Sequence, residues 1–235
     1  LQMIYFGGDS FMYGEGLEDK EDFPYLVSTE LKQPYVDDSQ VTSSNRLIYL
    51  RALNNLLSDE PCDFYIIMWS RGFDRRFEHI IDENLDERWT NIVPSPFHQK
   101  EDKIRNEISK FVMENLVTSE SSYLNSLIDM ISLQQLFKQH NKKYIFCFAH
   151  DEFLKFHDKY YKKKEFNLKI KDDSKGFTKV NNLKPIVDSI DFDNVVTKSF
   201  SEHMGTWVNG KDNIHPNAEQ VKDFVNYFLG KIGEN

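Results

Sequence analysis

YFGGDSFMYGEGLED, Tyr5 to Asp19, starts as an apolar run and stops at two glycines, an aspartate and a serine. A buried strand that ends in glycines and hands over to Ser10 puts a hydroxyl at the strand's C-terminal end, where open α/β sheets keep their sites. A plainer reading stays open on this stretch alone: Asp9 and Ser10 as turn residues that cap the backbone. The segments that follow decide which sheet the strand belongs to.

MIYFGG (Met3 to Gly8) reads as a short buried strand, and DFPYLVSTELKQ (Asp22 to Gln33) as a helix with Phe23, Leu26, Val27 and Leu31 on one face and Asp22 as its cap. NRLIYLRALNNLL (Asn45 to Leu57) reads as a second helix, with Thr42, Ser43 and Ser44 as cap candidates. CDFYIIMWS (Cys62 to Ser70) is apolar on both faces, which suits a central parallel strand. A long helix around Leu124, Leu127, Ile128, Ile131 and Leu136, a third apolar strand YIFCFAH (Tyr144 to His150) and a closing amphipathic helix with Val221, Phe224, Val225 and Phe228 inward complete the pattern.

Strands separated by helices, with no Asn-Gly hairpin signal between adjacent strand runs, predict βαβ units and a parallel sheet. The expected class is α/β, a three-layer α/β/α sandwich, in a single domain over residues 1–235. Short, weaker strands are expected near Pro34–Val36 and Asn194–Thr197. Two segments read as insertions. Residues 71–119 are irregular and broken by prolines, either a lid over a pocket or a loop packed on its own domain. Residues 155–184 hold ten lysines against four acids, either a basic cap for an anionic partner or a solvated face.

The net charge of −9 argues against general nucleic-acid binding, which draws on a basic surface to release counterions. Apolar residues make up 40% of the chain, enough for a packed core, yet no window approaches the roughly 18 consecutive apolar residues of a membrane span. The expectation is a soluble, cytoplasmic protein. Cys62 and Cys147 sit in strand-like apolar runs, as buried free thiols do, and lack zinc-site spacing, so no structural metal is expected.

The partner that Ser10 needs lies near the other end, in VNGKDNIHPNAEQ. Asp212 precedes His215 by three residues, and Pro216 marks a helix start. That spacing lets the carboxylate orient the imidazole through Nδ1 while Nε2 accepts a serine proton. His150, directly after a strand, is a candidate for substrate contact; Trp69 in the analogous position is either a ligand platform or core.

GGDSF near one end and DNIHP near the other resemble the GDSL or SGNH hydrolase family over nearly the whole chain. The resemblance implies a flavodoxin-like sheet of about five parallel strands and hydrolysis of esters through an acyl-enzyme without metal or organic cofactor. It implies Ser10 as nucleophile, His215 as general base and then acid, and Asp212 as its orienter. The chain departs from the family at the oxyanion hole. No glycine lies between Gly16 and Gly72, and MWSRGFDRRFE carries no asparagine after its strand. The candidate donors are therefore the N–H groups of Ser10 and Ser44 together with Asn45, and Asn45, Ser70 and Arg71 are the stand-ins for the family's asparagine. Asp9, Trp69, Ser70, Arg71 and His150 complete the candidate substrate-binding set.

The activity these residues predict is that of a serine esterase acting on a small-molecule or carbohydrate ester, such as an O-acetyl or other short acyl group on a sugar. The alternative is a catalytically impaired relative that binds a glycan or a protein in the same crevice, a reading prompted by the missing asparagine. A flavodoxin-like nucleotide binder fits less well, because GGDSFMYGEG has neither a Gly-x-Gly-x-x-Gly turn nor a P-loop lysine.

Overall fold

In the computed structural model the described residues are 2–70, 76–81, 87–92, 119–172, 176–204 and 215–233. Along them strands and helices alternate: β1 (Ile4–Gly7), α1 (Ser10–Tyr13), α2 (Phe23–Leu31), β2 (Tyr35–Asp37), α3 (Asn45–Leu56), β3 (Phe64–Trp69), β4 (Arg76–Ile81) and β5 (Glu87–Ile92). Then come α4 (Ser119–Gln139), β6 (Lys143–Phe148), α5 (Glu152–Tyr161), β7 (Asn167–Asp172), β8 (Gly176–Asn182), α6 (Lys184–Val187), a 3₁₀ turn (Phe192–Asn194), α7 (Phe200–Met204) and α8 (Ala218–Gly233).

Strands β2, β1, β3 and β6 form one parallel sheet in that order. Alternate residues face opposite ways along a strand, and here both faces are buried. Tyr5, Tyr65, Ile67, Trp69, Phe146 and Phe148 pack against α3, α4 and α5. Ile4, Phe6, Ile66, Met68 and Cys147 pack against α2, α7 and α8 through Phe23, Val27, Phe200, Phe224 and Phe228. Burial on both faces is what makes the central strands uniformly apolar, and it gives the expected α/β/α layering. Each fully buried side chain of this size contributes roughly 1.5–3 kcal/mol relative to an exposed one. Both cysteines are free and buried.

The edges are thinner than the centre. β2 is three residues long and exposed. The strand expected near Asn194–Thr197 is reduced to a single parallel bridge between Val195 and Phe146, with the Val196 N–H donating to the Phe146 carbonyl at 2.8 Å. The 3₁₀ turn that ends at Asn194 and the helix that starts at Phe200 leave no length for more ladder. The sheet is thus four strands plus a one-bridge fifth position.

Two antiparallel hairpins, which were not anticipated, stand apart from the parallel sheet. β4 pairs with β5, Arg76 opposite Ile92, and β7 with β8, Asp172 opposite Gly176. They fall inside the two segments read as insertions; neither connection carries an Asn-Gly pair, so the alternation in NLKIKD and GFTKVNN was the available signal. In the basic segment, Lys155, Lys159, Lys162, Lys163 and Lys164 are exposed and Lys184 is half-buried. Among the described residues no helix is long and apolar enough to cross a membrane.

The caps form where the sequence places them. The Asp22 carboxylate accepts from Tyr25 N–H at 2.8 Å, and Ser44 Oγ accepts from Leu47 N–H at 3.2 Å.

Candidate active site

The site is built where β1 stops. Gly8 lets the chain turn tightly there: a Cβ on it would lie 2.5 Å from the Met12 Cβ and 3.2 Å from the Met68 carbonyl oxygen. α1 is one turn long, so its two ends are only about 6 Å apart at 1.5 Å per residue. Asp9 is its N-cap, accepting from Phe11 N–H at 3.1 Å, and Gly14 closes it in the left-handed region at φ +77°. The Ser10 carbonyl accepts from both Gly14 N–H and Glu15 N–H, at 3.0 and 3.1 Å. Such a closure turns the chain back on the helix, so Glu15 returns to the neighbourhood of Ser10.

At the opposite end of the chain, His215 comes in just before α8. Its Nε2 lies 2.9 Å from Ser10 Oγ and 3.2 Å from Glu15 Oε2. Ser10 is 3% and His215 8% exposed. Phe11 stands edge-on to His215 at 5.6 Å and to His150 at 4.7 Å, and so touches both imidazoles. A hydroxyl within hydrogen-bond reach of an imidazole can be deprotonated as it attacks. The Ser10 N–H, first amide of α1, makes no hydrogen bond among the described residues, as is usual for the first helical position.

A second set of contacts holds the loop after β3 against this helix. Ser70 Oγ donates to Asp9 Oδ2 at 2.6 Å, and Ser70 N–H donates to Asn45 Oδ1 at 2.8 Å. Asn45 Nδ2 in turn donates to Ser126 Oγ at 2.9 Å. All four side chains are buried. The chain of bonds runs from the strand-β1 turn through the end of β3 to α3 and α4. Asn45 therefore acts as a brace between elements, with its carbonyl oxygen committed to the Ser70 amide. One turn along α4, burial pushes the Asp129 carboxyl up to about 6, opposed by the Arg46 guanidinium 3.0 Å away.

Of the residues singled out in the sequence, Ser10 and His215 are brought together across 205 positions. Asp9, Ser70 and Asn45 form the brace beside them. Ser44 is the buried N-cap of α3. His150 is buried against Phe11. Trp69 takes the core alternative, fully buried with its ring edge-on to Phe146. Asp212 and Arg71 lie outside the described residues. Glu15, Phe11 and Ser126 were not anticipated. For Glu15 the signal was present in Gly14, whose left-handed closure of a one-turn helix brings the next residue back to Ser10.

No protein-family model and no curated protein matches the chain by sequence. Its fold does have solved counterparts. A protein of Desulfitobacterium hafniense described as a lipolytic protein of the G-D-S-L family is 12% identical, with a TM-score of 0.50 over 98% of this chain and 99% of that one. The psychrotrophic esterase EstA of a Pseudoalteromonas species, in a structure inhibited by monoethylphosphonate, is 11% identical, with a TM-score of 0.51 over the full length of both chains. The strand order, the serine at the end of β1 and these full-length likenesses agree: the chain has the fold of the GDSL/SGNH hydrolases.

Proposed function

We propose that this chain is a GDSL/SGNH-type serine esterase, folded as one domain, that cleaves a short acyl ester, such as an O-acetyl group on a carbohydrate. The observation that carries the reading is the 2.9 Å contact between Ser10 Oγ and His215 Nε2 at the C-terminal end of a parallel sheet. Ser10 Oγ bonds to the acyl carbon as its proton passes to His215 Nε2. The tetrahedral intermediate collapses, the bond to the alcohol oxygen breaks, and that oxygen leaves with the proton from Nε2. Water, deprotonated by the same nitrogen, then releases the acid and restores Ser10. The oxyanion rests on the Ser10 N–H and, from the sequence, the Ser44 N–H; one well-aimed donor is worth roughly 10²–10³ in rate. Asp212, three residues before His215, is assigned the Nδ1 side of the ring.

Covalent labelling tests this directly. A fluorophosphonate is expected to modify wild type at Ser10 and to leave Ser10→Ala unmodified. Labelling absent from wild type would count against hydrolysis and favour the second reading, a relative that binds a glycan or protein in the same crevice. That reading draws on one observation: the Asn45 carbonyl and the Ser70 amide are bonded to each other.

A further inference from the structure

Glu15 touches the atom that protonates the leaving alcohol. Its Oε2 lies 3.2 Å from His215 Nε2, beside the 2.9 Å contact of that nitrogen with Ser10 Oγ. In acyl transfer Nε2 hands its proton to the departing alcohol oxygen, so a group in contact with Nε2 is a neighbour of that oxygen. Glu15 is also held there by backbone: its N–H is bonded to the carbonyl of the nucleophile's own residue, and the flanking Gly14 and Gly16 both have positive φ. The side chain is 39% exposed, so it can bond to an entering molecule without leaving its turn.

We infer that Glu15 selects the alcohol half of the ester, favouring alcohols with a hydrogen-bond donor next to the ester oxygen, such as a vicinal hydroxyl or a protonated amine, and rejecting anionic ones. The inference rests on the esterase reading above. A carboxylate accepts strongly from hydroxyl and ammonium donors. With Nε2 unprotonated to serve as base, it has no proton to give Glu15; a donor on the substrate supplies the carboxylate's partner as the ester oxygen takes its place beside Nε2. An alcohol that carries an ether or an alkyl group there offers no such donor, and one that carries a carboxylate meets a like charge.

The test compares kcat/KM for four small acetates: those of 2-hydroxyethanol, 2-methoxyethanol, 2-(dimethylamino)ethanol and glycolate. Wild type is expected to prefer the hydroxyl ester over its methyl ether by about tenfold, to favour the protonated amine similarly, and to turn over the glycolate ester slowest. Glu15→Ala is expected to bring all the ratios towards one. Glu15→Gln, which keeps an acceptor and loses the charge, retains the hydroxyl preference and loses the amine preference. Ratios that Glu15→Ala leaves unchanged overturn the inference while the esterase reading stands. So does loss of turnover on every ester in both variants while a fluorophosphonate still labels Ser10, because Glu15 would then act in the chemistry and not in the choice of alcohol. Wild type that neither turns over nor labels at Ser10 sinks the esterase reading, and the inference with it.

Discussion

Ser70 reaches in two directions at once: its hydroxyl donates to Asp9 at 2.6 Å, and its backbone N–H to Asn45 at 2.8 Å. Asp9 caps the one-turn helix that carries Ser10, so the orientation of Ser10 depends on a bond made from the end of another strand. Removing Asn45 leaves a buried N–H without its acceptor, which costs about 1–3 kcal/mol. Asn45→Ala is expected to lower the melting temperature by several degrees, at about 2–4 °C per kcal/mol for a chain of this size. Asp9→Ala loses the cap and the Ser70 partner together. In urea unfolding, Asp9→Ala and Ser70→Ala are expected to be non-additive by 0.5 kcal/mol or more, about the coupling of bonded neighbours; strict additivity would mean the bond contributes nothing.

Gly8 permits the approach of α1 to the sheet. A methyl group there would overlap the Met12 Cβ at 2.5 Å, and the Met68 backbone behind it cannot yield. Gly8→Ala is expected to cost about 1–3 kcal/mol as an overpacked core position, read from the urea midpoint. A displaced α1 carries Ser10 with it, so esterase activity should fall further than the stability loss alone explains.

Phe11 contacts both His150 and His215 and is itself buried. Phe11→Ala opens a cavity beside His215 and is expected to cost about 3–5 kcal/mol. A catalytic group displaced by 1 Å loses about 10²-fold in rate. The expected signature is a fall in kcat that exceeds any rise in KM, measured well below the variant's own melting temperature.

Two buried groups set opposite pH trends in stability. Burial pushes the His157 imidazole down to about 4 from an ordinary 6.5, so as pH falls from 6.5 the unfolded chain takes a proton that the folded one refuses. Stability drops across that window, and below about 4 no further loss comes from this group. At about 1.4 kcal/mol per pH unit the loss is on the order of 3 kcal/mol. Asp129, pushed up to about 6 from 3.8, works the other way: between those values the folded state holds the proton, and stability falls as pH rises. Urea midpoints at pH 7, 5 and 4 check both. His157→Gln should flatten the acid loss and Asp129→Asn should steepen it.

The centre of the fold was legible because buried parallel strands are apolar throughout. FYIIMW and YIFCF announce themselves, as do the caps at Asp22 and Ser44. The edges were legible in place but not in length: strands were expected near Pro34–Val36 and Asn194–Thr197, and the structure has β2 at Tyr35–Asp37 and a single bridge at Val195, where one bridge has no periodicity to read. The hairpins β4–β5 and β7–β8 lack the turn pair that marks such units; the prolines of the first segment read as irregular loop, and the lysines of the second as a basic cap or a solvated face. In the site, Ser10 and His215 were legible because their chemistry demands each other. Trp69 was ambiguous between core and pocket because a strand-end aromatic suits both. The Asn45–Ser70 bond, across 25 positions, arises only when separate elements meet, and no local pattern encodes it; Gly14 signals the return of Glu15 to Ser10, but the arrival of His215 beside it is again a meeting of separate elements.

The central claim is that Ser10 and His215 form one catalytic unit. The most direct measurement is p-nitrophenyl acetate hydrolysis by wild type, Ser10→Ala, His215→Ala and the double variant. The account predicts turnover in wild type and a loss of about 10³-fold or more in each single variant, with the double variant no worse, as residues acting as a unit behave. Wild type no faster than Ser10→Ala would contradict it.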